Sequence, residues 1–140
     1  MATSYLESTW PSDRWPNFSF NEIKCKQTGA CIIDDALMDK LQEMRSKCGP
    51  LRVTSAYRSP SHTIEAEKIK KSGKGGAHTT GRAIDIACDR EKAYNILGVA
   101  MELGFTGIGV KQSGDGRFLH LDIIDAEDDF HVPRPTIWSY

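Results

Sequence analysis

The chain has 140 residues, 39% of them hydrophobic and 26% charged, with a formal net charge of -1. That length suffices for one hydrophobic core, and the composition is that of a folded protein, not of a disordered segment. The near-neutral balance supplies no global basic field for nucleic acid, and no stretch approaches the roughly 20 apolar residues of a membrane-spanning helix.

Residues 1–17, rich in Ser, Thr, Pro and Trp, read as an irregular arm ahead of one domain over residues 18–140. The arm is polar where a signal peptide has its apolar centre, which predicts synthesis in a cytoplasm and action on the cell wall or periplasm only after release. Residues 18–34 read as short and turn-like, with Gly29 between Cys25 and Cys31. The four cysteines, Cys25, Cys31, Cys48 and Cys88, match neither a zinc ribbon nor a CxxC pair. Buried free thiols are expected, and a Cys25–Cys31 bridge stays open. Asp34 or Asp35 then caps a helix whose Leu37, Leu41 and Met44 share one face, and Gly49-Pro50 ends it. Residues 51–55 read as a strand running into the turn Tyr57-Arg58-Ser59-Pro60. A short charged helix and a Gly-rich loop follow over residues 61–77.

A strand spans about residues 82–87. A second helix begins after Asp89, buries Ala93, Ile96, Leu97, Ala100 and Met101, and stops at Gly104. Two more strands lie near residues 107–110 and 118–123, and the tail reads as irregular. The fold class is α+β, with helices on one face of a small, mostly antiparallel sheet. The other face is left to carry a site.

Period-two alternation says which side chains reach that face. Ile84, Ile86, Leu119, Leu121 and Ile123 point to the core. Asp85 projects the other way between Ala83 and Ala87, as do His120, Phe118 and Asp122. His78 precedes Asp85 by seven residues, and Gly81 permits the chain to fold back between them. Two imidazoles and a carboxylate form a common catalytic zinc set with one position open. Spacing alone leaves unrelated surface residues as the alternative.

His78-Thr-Thr-Gly81-Arg-Ala83-Ile-Asp85 resembles the HxxGxAxD motif of the M15 metallopeptidases, the D-Ala-D-Ala carboxypeptidase family. Phe118-Leu-His120-Leu-Asp122 resembles the family's second signature, and Thr54-Ser-Ala-Tyr57-Arg58-Ser-Pro60 its Ser-Gly-Tyr-Arg segment. The likeness runs from about residue 18 to the C-terminus. It implies one zinc per chain on His78, Asp85 and His120, peptidoglycan peptides as substrate, and a substrate-binding, oxyanion-steadying role for Arg58. The sequence departs from the family where many relatives place the general base, three residues before the last histidine, because Arg117 stands there. Asp122 is then either the base or a partner orienting His120, with Asp115 and Glu65 as further candidates for the base.

His62, four residues after Arg58, is a candidate lining of the cleft, and Trp138 either walls the cleft or packs the C-terminus. His131 reads as exposed. Glu65 and Glu67 read as partners of the nearby lysines. No acidic residue lies beside Arg58, which points to substrate as its partner. The resulting expectation is a monomeric zinc peptidase of the bacterial wall, of phage lytic type, cutting as an endopeptidase or a D-Ala-D-Ala carboxypeptidase. Its rival is a zinc-binding wall or virion module without catalysis.

Overall fold

Tryptophans decide the fate of the N-terminal residues. Trp15 is fully buried and Trp10 nearly so, in the same hydrophobic cluster as the helices and sheet. The expected arm therefore packs into the core, and Ala2–Tyr5 forms strand β1, antiparallel to β2 at Cys31–Asp34. The computed structural model describes residues 2–126 and 132–140, so His131 lies outside the described residues.

Between these strands, α1 (Phe20–Ile23) starts on a capping box in which Ser19 and Glu22 each accept the other's backbone N–H. Helix α2 (Asp35–Cys48) is capped by Asp34, whose side chain accepts the Ala36 N–H at 2.8 Å. Its Leu37, Met38, Leu41 and Met44 are fully buried. Gly49 ends it at φ 81°, a value that glycine adopts without strain.

The second sheet has five strands in the order β3 (Arg52–Ser55), β4 (Ala83–Ala87), β6 (Phe118–Asp122), β5 (Gly107–Lys111), β7 (Thr136–Ser139). Its first three pairings are antiparallel, and β7 joins β5 in parallel from a tail expected to be irregular. Helix α3 (Thr63–Ser72) is the expected short charged helix, and α4 (Arg90–Glu102) packs on α2. Met101 is exposed, not buried as expected, because one residue on from buried Ala100 turns about 100° round the helix. Ile84, Ile86, Leu119 and Leu121 meet the helices, as alternation requires, and the opposite side of β4 and β6 carries Asp85, His120 and Asp122.

Candidate metal centre

Strand register supplies two of the three donors. Asp85 on β4 sits directly opposite His120 on β6, so both side chains leave the same face of the sheet. The third, His78, arrives on a 3-10 turn over Ala77–Thr80 that ends at Gly81 with φ 73°. Only glycine fits there, since a Cβ on Gly81 would lie 2.5 Å from the carbonyl oxygen of Ile32.

One ligand atom from each of His78, Asp85 and His120 lies within 4.8 Å of the others. His78 Nε2 is 3.2 Å from Asp85 Oδ2, and His120 Nδ1 is 3.0 Å from Asp85 Oδ1. The far nitrogens fix the tautomers. His78 Nδ1 lies 2.7 Å from the carbonyl of Ala56, which can only accept, so that nitrogen carries the proton. His120 Nε2 lies 2.8 Å from Asp122 Oδ2 and donates likewise. In the neutral rings both remaining lone pairs then face the Asp85 carboxylate, an arrangement that calls for a cation between them. Tetrahedral zinc with bonds of ~2.0–2.1 Å has ligand–ligand edges of about 3.3 Å, close to these separations. Donor types, tautomers and spacing all fit zinc.

Electrostatics agree. Burial alone would raise the Asp85 pKa, but hydrogen bonds from His120 and His78 outweigh it and hold the carboxyl well below its ordinary value. Burial would depress the His120 pKa, yet hydrogen bonds to Asp122 and Asp85 outweigh it and hold it above the ordinary imidazole value.

Asp122 is buried to 0% exposure and held by two parallel bonds from Arg134, Nε to Oδ1 at 2.9 Å and Nη2 to Oδ2 at 2.8 Å. Against the cost of burial, His120 and Arg134 keep its carboxyl below the ordinary range. Gly107 makes room for it, since a Cβ there would stand 2.2 Å from Oδ1. Sequence reasoning did not find Arg134. Its only signal was that a buried aspartate needs a cation, and that does not say which one.

Trp138 packs its ring 5.2 Å from that of His120 and under the Arg134 guanidinium, also at 5.2 Å. Tyr140 lies beside it against Phe118, over the bare backbone of Gly109. Arg58 does have an acidic partner, contrary to expectation. The first turn of α3 returns Glu65, whose Oε2 lies 3.2 Å from Arg58 Nη1, while its Oε1 accepts the Gly76 N–H at 2.7 Å. Lys68 stands 3.8 Å from the same carboxylate. His62 caps α3, its Nδ1 accepting from the Ile64 N–H. Asp115 sits on the exposed β5–β6 turn, lining a separate cavity with Arg52, Arg90 and Arg117.

Among the described residues no helix is long and apolar enough to cross a membrane. A family model described as Peptidoglycan L,D-endopeptidase MepK matches residues 21–127. Neither the curated proteins nor the solved structures give a match. That span exceeds half of the chain and holds all three donors, so the chain belongs to the M15 peptidases, a family of zinc enzymes that act on peptidoglycan.

Proposed function

We propose that this protein is a zinc-dependent endopeptidase of bacterial peptidoglycan, holding one zinc on His78 Nε2, Asp85 and His120 Nδ1. The observation that carries this is the convergence of two tautomer-fixed imidazoles and one ionised carboxylate on a sheet face clear of the helices. Bound zinc supplies a Lewis acid that activates water and polarises a carbonyl. The chain's own residues do the rest. Ala56 and Asp122 fix the two histidines through their outer nitrogens, so the donors are set before substrate arrives. Of the two roles open to Asp122, orienting His120 is the better supported, because both its oxygens are already engaged and no solvent reaches it. Arg58 is braced by Glu65 through one nitrogen, leaving the remaining guanidinium donors for a substrate carbonyl or carboxylate.

Among the bonds in a wall peptide, the matched family's description favours L,D-endopeptidase cleavage over removal of a terminal D-Ala. A monomer released into the wall during phage lysis is the biological setting we favour, with wall peptides as the partner. The test is digestion of purified peptidoglycan with and without chelator, mass spectrometry of the fragments, and elemental analysis of the protein. Chelator-sensitive release of peptides at about one zinc per chain is expected. A zinc-loaded protein that releases nothing would instead be a binding module.

A further inference from the structure

The metal face continues past Asp85 to the edge strand β3, where a cavity of about 170 Å³ opens. It adjoins the centre on three counts. Ser55 pairs with Asp85 across the ladder, the Ala56 carbonyl accepts from His78, and the Arg58 N–H donates to the His78 carbonyl at 3.2 Å. Its chemistry is one-sided: Lys24, Lys26, Arg58 and His62 line it, and among the described residues no carboxylate does.

Most of these donors are braced from behind. Lys26 Nζ lies 2.5 Å from the carbonyl of Asn21 and 2.9 Å from that of Glu22. Arg58 is backed by Glu65, and the His62 cap on Ile64 occupies Nδ1, so the neutral ring carries its proton on Nε2. Lys24 Nζ stands 6.0 Å from the Phe20 ring centroid. An ammonium has three donors and a guanidinium five, so these contacts leave donors to spare. A donor-ringed space to which no described residue brings an acidic side chain selects an anion. It is smaller than the ~300–1,000 Å³ that holds a whole ligand, and so suits one branch of a substrate.

We propose that this cavity is a carboxylate subsite, so that a wall peptide lies across the strands with a free carboxylate on Lys24, Lys26, Arg58 and His62. Its scissile bond then lies over His78, Asp85 and His120, and its other end runs toward Trp138 and Tyr140. The assignment rests on the peptidase reading above. The opposite edge supports the direction, because it is aromatic and Gly109 leaves its floor flat.

Calorimetry on the zinc-loaded protein tests this with the tripeptide L-Ala-γ-D-Glu-meso-diaminopimelate and the same peptide with its carboxylates amidated. The wild-type protein should bind the free acid about tenfold more tightly than the amide. A Lys24→Gln/Lys26→Gln variant should lose that preference, and its KM for cross-linked wall peptide should rise about tenfold with kcat little changed. Equal binding of acid and amide by the wild-type protein overturns the subsite, as does a preference that survives in a folded double variant. If that variant does not fold, the acid–amide comparison on the wild-type protein decides alone. A preference that depends on the lysines, in a protein that cleaves no wall peptide, keeps the subsite and removes the peptidase reading.

Discussion

His120 is the residue on which the centre turns, because each of its nitrogens faces a different carboxylate. Replacing it by Ala removes one of three donors, and elemental analysis should then find the zinc lost. Asp122→Asn separates the two roles of that carboxylate. As an orienting group, its loss should weaken zinc binding by about 10- to 100-fold in a chelator competition. As a general base, its loss should leave zinc affinity intact and lower kcat by at least ~10²-fold. Arg134→Ala strands a buried carboxylate, and denaturant unfolding should show a loss of about 3–5 kcal/mol.

At the scale of elements, Glu65 ties α3 to both the Arg58 turn and Gly76, the residue that starts the turn carrying His78. Burial raises its pKa, but the Gly76 N–H, Arg58 and Lys68 more than compensate, and the folded-state pKa lies below the ordinary 4.5. A carboxyl depressed on folding contributes stability above its unfolded pKa and loses it as pH falls through the folded one. Glu65→Gln should therefore cost stability at pH 7, and the gap to wild type should shrink as unfolding is measured at pH 4 and below. An unchanging gap would show that the charge of Glu65 is not what holds the loop. Strand β5 is equally exacting: Gly107→Ala must push a methyl into the Asp122 carboxylate, costing about 1–3 kcal/mol and loosening His120 behind it.

For the molecule as a whole, the N-terminal segment is part of the core. Tyr5, Trp10 and Trp15 pack ring to ring, with Trp10 5.2 Å from Trp15, and the Trp15 indole N–H donates to Asp39 on α2 at 2.9 Å. Trp15→Ala should lower stability by about 3–5 kcal/mol in denaturant unfolding, whereas a detachable arm would tolerate the change.

Local chemistry made much of this legible. The caps and apolar spacing of α2 and α4 are properties of neighbours in sequence, and so is the alternation that sends Asp85 and His120 away from the helices. From these the α+β class and the shared face of Asp85 and His120 followed, whereas a ligand role for His78, Asp85 and His120 was implied by the resemblance to the M15 metallopeptidases and not by spacing. What tertiary structure decided are pairings between distant segments whose partners carry no local mark. β1 and β7 are short strands that exist by pairing with β2 and β5. Arg58 meets Glu65 only because α3 turns back, and Asp122 meets Arg134 only because the tail crosses to β5. Periodicity assigns a side chain to a face of its own element. A buried charge finds its counter-ion only when the chain closes, because nothing in the residues around it records which distant cation will arrive.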